Sequence, residues 1–234
     1  MIPIHIESAW KGTSNCLSCG IRDLVLFADL NEDDFSLIHA PIDDMAFSGG
    51  TLMYSEGEKA IGVFTLREGM VKLVRTTSDG RERIVRVLRV GDVVGIEALV
   101  TGYFESEAVA LNDVKVCRIP LSVLHKLGTQ SPRLHNRLMQ KWHQALKGAD
   151  DWLADLNFGT ARRRVSKFIL KMRLDNHIDQ TCLFSREDMG AMMGLKFETV
   201  SREVSALVRE KAIEPLDKVG RFYRIQNEKL LNSF

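Results

Sequence analysis

The chain of 234 residues is poor in cysteine and has no long hydrophobic run. Four cysteines are too few for a disulfide-framed secreted fold of this size, which makes a reducing compartment the default. No stretch approaches the ~18 uninterrupted apolar residues of a membrane span. The start, Met1-Ile2-Pro3-Ile4-His5, lacks the basic segment and apolar core of an export leader. A cytoplasmic protein without a membrane partner is therefore expected. An excess of one charge is missing too: 32 Lys and Arg stand against 31 Asp and Glu, so bulk charge names no partner. The distribution is more informative. Residues 1–159 carry 17 basic and 21 acidic side chains, a net of −4, whereas residues 160–224 carry 14 and 9, a net of +5. A basic module attached to an acidic body points to a polyanion.

From Met45 to Pro120 the chain breaks into short runs rich in Val, Ile, Leu and Phe, separated by turn signals such as Ser48-Gly49-Gly50, Ser78-Asp79-Gly80 and Gly91-Asp92. Gly57, Gly69, Gly80 and Gly91 follow at steps of 12, 11 and 11 residues, the spacing of an all-β roll built from hairpins. Asp79-Gly80, between Met70–Thr77 and Arg83–Leu88, is the clearest hairpin turn because both residues tolerate positive φ. From Leu121 the period becomes helical. Leu138, Trp142, Ala145, Ala149, Trp152 and Leu156 follow at steps of 4, 3, 4, 3 and 4 and form one stripe. Such a stripe suits a helix lying on its own core. The sharper reading is a helix paired with its twin across a two-fold axis, which makes these six residues the expected dimer seam. Asn157-Phe158-Gly159-Thr160 ends the stripe as a C-cap and hinge. Ala161–Leu174 then reads as a basic amphipathic helix with Val165, Phe168, Ile169 and Met172 inward.

The most specific segment is Phe184–Ile225. Ser185 with Asp188 three residues on has the form of a helix start. Met189 and Met192 face inward on the short helix, and Gly194 supplies a turn. A second helix, Lys196–Lys211, buries Val200, Val204, Leu207 and Val208 and leaves Glu198, Ser201, Arg202, Ser205 and Arg209 outside. Two short helices joined by a glycine-containing turn, the second polar and basic at its exposed start, make a helix-turn-helix. Asp217-Lys218-Val219-Gly220-Arg221 joins two short β runs as a wing. Glu198 and Arg202 alone would be an ordinary i,i+4 surface pair. At the start of a recognition helix the carboxylate instead suits cytosine N4, and the guanidinium suits guanine O6/N7. Glu198, Ser201 and Arg202 are therefore the candidate base readers. Lys196, Thr199, Ser205, Lys218 and Arg221 are the candidate contacts to the DNA backbone.

The order roll, long helix, helix-turn-helix and wing resembles the CRP/FNR family of bacterial transcription regulators over nearly the whole chain. Glu198-Thr199-Val200-Ser201-Arg202 matches the Glu-x-x-Ser-Arg motif of the FNR branch. The resemblance implies an α+β architecture: a β-roll sensor like a cyclic-nucleotide-binding jelly roll over 1–120, a dimerisation helix and hinge over 121–159, and a winged helix-turn-helix over 160–234. It further implies a homodimer that reads a palindrome of TTGAT-like half-sites on double-stranded DNA and recruits or blocks RNA polymerase there. The cyclic-AMP branch clamps its ligand with a Gly-Glu-Leu segment and a following Arg. Here the matching stretch is Gly95-Ile96-Glu97-Ala98-Leu99, Glu105 and Glu107 follow, and no Arg lies between Arg89 and Arg118, which disfavours cyclic AMP. The iron–sulfur branch uses four cysteines. Cys16, Cys19 and Cys117 match three of them, while the fourth position is Val25, with Asp23 or Asp29 as oxygen donors nearby.

Two other readings compete. Cys16 and Cys19 suggest a thiol-redox or metal centre, or the roll binds a ligand and the DNA module is inert. No thioredoxin-like βαβ pattern surrounds the cysteine pair, and His39, His125, His135, His143 and His177 keep no metal-ligand spacing. An enzyme is not expected.

Overall fold

A computed structural model of the chain describes residues 21, 24–31, 33–34, 38, 40–78, 80, 82–174 and 177–234. Cys16, Cys19, Asp23, His39 and Asp79 lie outside the described residues. The chain divides into two compact bodies, one made of Met1–Arg75 and Val85–Lys147, the other of Thr76–Ile84 and Gly148–Phe234.

The first body is the roll, apart from one hairpin tip, Thr76–Ile84, that groups with the second body. Its strands are β1 (Asp43–Phe47), β2 (Leu52–Tyr54), β3 (Gly62–Glu68), β4 (Val71–Thr76), β5 (Glu82–Leu88), β6 (Val93–Val94), β7 (Glu107–Ala110) and β8 (Val114–Pro120), with a one-turn helix α1 (Ala98–Thr101). They form two four-stranded sheets, ordered β1-β8-β3-β6 and β2-β7-β4-β5. The pairings are antiparallel, as in Asp43 opposite Arg118 and Leu73 opposite Ala108. The turn before β5 has Gly80 at φ 77°, its N–H donating to the Thr77 carbonyl at 2.8 Å. One core, with Tyr54, Phe64, Leu66, Val71, Leu88 and Phe104, joins the faces of the two sheets. A second gathers Leu26, Phe27, Ile42, Val63, Ile119, Leu124, Leu127 and Leu134 under helix α2 (Leu121–Gln130) and the start of helix α3 (Pro132–Leu156).

Pro132 separates α2 from α3, because its ring has no N–H and cannot continue the preceding helix. Three cations one turn apart on α3 hold the first body together. Arg133 Nε donates to Asp34 Oδ2 at 2.7 Å, Arg137 Nε to the Val25 carbonyl at 3.3 Å, and Lys141 Nζ to the Gly91 carbonyl at 2.8 Å.

The second body contains α4 (Ala161–Lys171), β9 (Arg173–Leu174), β10 (His177–Cys182), α5 (Arg186–Met193), α6 (Phe197–Arg209), β11 (Ile213–Pro215), β12 (Phe222–Ile225) and α7 (Glu228–Asn232). Its sheet has the order β11-β12-β10-β9. The helix expected over 161–174 ends at Lys171, and Arg173-Leu174 form a strand instead. The core is built on Phe168, which meets Trp152 and Phe184 edge to face at 6.2 and 5.8 Å. Thr160 caps α4 by accepting from the Arg163 N–H at 3.2 Å.

Candidate nucleic-acid interface

The second body positions the site through its turn chemistry. Ser185 Oγ accepts from the Asp188 N–H at 3.0 Å and starts α5. Gly194 ends α5 at φ 63°, the left-handed region that a side chain disfavours. Gly190 lets α5 and the connecting turn touch, since a Cβ there would lie 2.6 Å from the Leu195 carbonyl oxygen. Helix α6 follows, with Val200, Val204 and Leu207 buried and Val208 half-buried. On its other face Lys196, Glu198, Arg202 and Ser205 are exposed, and Thr199 and Ser201 are half-buried.

Arg202 approaches Glu203 at 3.7 Å, with its side chain 70% exposed. Among the described residues that is its ion pair, and Glu198 is not its partner. The base-reading candidates thus share one face of one helix. The wing is the β11–β12 hairpin. Asp217 shapes its tip by accepting from the N–H groups of Arg221 at 2.9 Å and Phe222 at 3.2 Å. The Arg221 N–H bond, with that of Phe222, holds the Asp217 carboxyl below its usual range against the smaller opposing effect of desolvation. Lys218 is exposed on this tip and Arg221 is half-buried.

Not all the basic charge of this body faces outward. Arg162 pairs with Glu203 at 3.6 Å and with Glu210, and lies 4.6 Å over the Phe234 ring. Arg163 donates to the carbonyls of Asp155 at 3.3 Å and Phe158 at 3.1 Å. Arg164 donates to the Met193 carbonyl at 2.9 Å. The triple-arginine run fastens α4 to its neighbours, so the net charge of the segment overstates its free cations.

The stripe Leu138, Trp142, Ala145, Ala149, Trp152 and Leu156 packs in part within the chain itself, five of its six residues remaining half-buried. Leu138 and Trp142 pack on the core of the first body. Leu156 is buried, and Trp152 lies against Phe168 in the second body. Ala145 and Ala149 are half-buried between them along the helix. The stripe faces the protein's own cores, as apolar stripes on helices usually do. The exposed large apolar residues of α3 are Met139, Leu146 and Leu153, each half or more exposed and seven residues apart. They lie roughly 80° round the helix from the stripe.

In the roll, Gly95 stands at φ 79°, and a Cβ there would meet the Phe104 ring at 2.6 Å. Phe104 in turn stacks on Tyr54 with ring centroids 3.6 Å apart. Burial, with the Glu97 charge adding to it, pushes the Tyr54 phenol well above its usual range. Sequence reasoning missed Arg86, which enters this region from β5, upstream of the stretch between Arg89 and Arg118. Its guanidinium is lowered by desolvation and supported by the charges of Asp92 and Glu97. Glu97 itself accepts from the Glu105 N–H at 3.4 Å.

Cys117 is buried, its Sγ 3.4 Å from Asp44 Oδ1 and 3.9 Å from Arg67 Nη1. Cys182 is buried in the second body. The sensor side of the chain therefore offers at most three thiolates, Cys16, Cys19 and Cys117. Val25 offers a backbone carbonyl already bound to Arg137, and the Asp29 carboxylate lies 3.8 Å from that same Arg137. A four-thiolate cluster does not fit this donor set. Among the described residues no group of three or more His, Cys, Asp or Glu could hold a metal ion. No helix of the described residues is long and apolar enough to cross a membrane.

The second body is a winged helix-turn-helix, and the first is an antiparallel roll that feeds a long helix. The family model described as the cyclic nucleotide-binding domain matches residues 45–131, and the Crp-like helix-turn-helix domain matches residues 159–234. The chain is 28% identical over 224 residues to the fumarate nitrate reduction regulatory protein of Klebsiella oxytoca, covering 93% of this chain and 88% of that one. With the same coverage it is 27% identical to the fumarate and nitrate reduction regulatory protein of Escherichia coli strain K12. Among solved structures, FixK2 from Bradyrhizobium japonicum superposes with a TM-score of 0.73 at 27% identity, covering 82% of this chain and 96% of that one. A CRP-family transcriptional regulator of Thermus thermophilus shares the fold at a TM-score of 0.68 and 23% identity, over 81% of this chain and 95% of that one. The chain belongs to the CRP/FNR family of transcription regulators. It carries the family's DNA-binding helix-turn-helix and is a regulator, not an enzyme.

Proposed function

We propose that the protein acts as a homodimer on palindromes of TTGAT-like half-sites, reads them with Glu198, Ser201 and Arg202, and recruits or blocks RNA polymerase there. The observation that carries this reading is the outer face of α6, where those three side chains stand together at the start of a helix whose other face buries Val200, Val204 and Leu207. Lys196, Thr199 and Ser205 on α6, with Lys218 and Arg221 on the wing, are assigned to the DNA backbone. The dimer reading draws on Met139, Leu146 and Leu153, an exposed apolar row at coiled-coil spacing on α3. A two-fold dimer reading a palindrome must place its two recognition helices one DNA turn apart, ~34–36 Å.

The roll is assigned to sensing, with an effector other than cyclic AMP. The Tyr54–Phe104 stack lies directly against Gly95, and Arg86, the cation in this region, already answers two acids. The test is a titration of the full chain onto a TTGAT palindrome and onto random duplex over a range of salt. The expected result is a preference for the palindrome of roughly 10³-fold or more. Equal affinity for both duplexes overturns the reading.

A further inference from the structure

We infer that Arg83, at the tip of the β4–β5 hairpin, is a DNA-backbone contact whose guanidinium takes a phosphate on the stretch of strand met by Lys196. The inference rests on the DNA-reading function proposed above and goes beyond it. It extends the contact surface to a segment outside both the helix-turn-helix and the wing.

The hairpin tip Thr76–Ile84 groups with the second body, although β4 and β5 are neighbours in a sheet of the roll. Within that body Arg83 lies against the turn between α5 and α6. A Cβ built on Gly194 would stand 3.0 Å from Arg83 Nη1 and 3.8 Å from its Cζ. A side chain at 194 would push the guanidinium away, so the glycine serves both the left-handed turn and the arginine beside it. Arg83 is exposed, while the adjoining Ile84 is buried and anchors the strand.

Arg83 differs from the other arginines near this turn in its partners. Arg162 answers Glu203 and Glu210, Arg163 the carbonyls of Asp155 and Phe158, and Arg164 that of Met193. Among the described residues no hydrogen bond or ion pair takes the Arg83 guanidinium. A cation capping the end of α5 would bond one of its last carbonyls, and Arg164 does this at Met193 while Arg83 does not. The five N–H donors of Arg83 are therefore left to solvent, in the fork geometry that suits phosphate oxygens. Lys196 follows Gly194 by two residues. At ~3.5 Å per residue the guanidinium stands within roughly 12 Å of the Lys196 Cα. Phosphates of one strand repeat every ~3.4 Å along the duplex axis, so both cations address the same short stretch.

The test uses the full chain on a duplex of two TTGAT half-sites, with affinity followed over a range of monovalent salt. Each neutralised phosphate adds ~0.9 to the steepness of log K against log salt concentration. Arg83→Gln, which keeps length and polarity without the charge, should flatten the slope by about 1.8, one contact in each half of the dimer. Its affinity should fall roughly 10- to 60-fold near 0.1 M salt, and by a similar factor on random duplex. Arg83→Lys should keep the wild-type slope. Phosphates are then replaced one at a time by uncharged methylphosphonates. One position per half-site should weaken wild type and leave Arg83→Gln unaffected. An unchanged slope for Arg83→Gln overturns the inference. So does a variant that binds more tightly than wild type, which would mark the contact with the turn as one that DNA must break. A variant that melts far below wild type makes the arginine a clamp of the fold and also overturns it. Wild type with no preference for the palindrome over random duplex overturns the DNA-reading proposal itself, a distinct result because the slope still decides Arg83.

Discussion

Arg202, its side chain 70% exposed, lies 3.7 Å from the largely covered Glu203 carboxylate, a contact between sequence neighbours worth about 1 kcal/mol or less. DNA can displace it at little cost. Arg202→Ala should weaken palindrome binding by ~1–3 kcal/mol and blur the preference at the G·C pair of each half-site. Affinity measured on duplexes varied at that pair decides the point, and an equal loss on every sequence would make Arg202 a phosphate contact. Asp34 gives a prediction in pH. Burial would raise its carboxyl, but bonds from Arg133, Ser131 and the Asn31 N–H together bring it below its ordinary 3.8. A carboxyl lowered in the folded state stabilises above its unfolded pKa, and that stability is lost as pH falls through the folded value. Thermal stability should therefore hold from neutrality to about pH 4 and fall below it. Asp34→Asn should be less stable at neutral pH and show a shallower acid fall, and unchanged melting curves would remove Asp34 from the account. At this scale the sequence is readable where chemistry is local. The Ser185 cap, the Gly194 turn and the inward Met189 and Met192 follow from neighbours within four residues. The fates of Arg162 and Arg164 do not, because their partners Glu203, Glu210 and Met193 come from α5 and from α6 and its C-terminal cap.

The long helix α3 shows how far periodicity reaches. The steps of 4 and 3 locate a buried stripe correctly, but spacing cannot say whether the covering surface belongs to the same chain or to a second copy. Trp142 rests on the core of its own body, so Trp142→Ala should cost on the order of 2–4 kcal/mol of folding stability. Leu146 is exposed, and Leu146→Asp should leave folding nearly intact while placing two like charges at a dimer axis. Sedimentation at micromolar concentration should show a dimeric wild type and a monomeric Leu146→Asp variant that has lost palindrome binding as well. A variant that remains dimeric would move the axis away from the Met139–Leu146–Leu153 row. That row was hidden in the sequence. It has only three members, and His135, His143 and Asp150 interrupt the apolar pattern beside it.

At the scale of the whole chain, the order of roll, long helix and winged helix-turn-helix was readable because each part has its own period and punctuation. The roll's ligand chemistry was less so. Forward from Gly95 the sequence holds acids and no arginine, yet folding brings Arg86 in from β5 and sets Tyr54 on Phe104 beside Gly95. Cyclic AMP at micromolar concentration should neither raise the melting temperature nor tighten palindrome binding, and a saturable thermal shift would overturn that expectation. The near end of α3 packs on the first body's core through Leu138 and Trp142, its far end lies in the second body with Trp152 and Leu156, and the exposed row runs ~80° round the helix from that stripe. A residue inserted or deleted near the middle would turn one end against the other by ~100°. Either the far end would lose its seat or the free row would be broken. Loops elsewhere in the chain can change length among relatives, but the stretch from Leu138 to Leu156 is a ruler whose gradations must stay in phase.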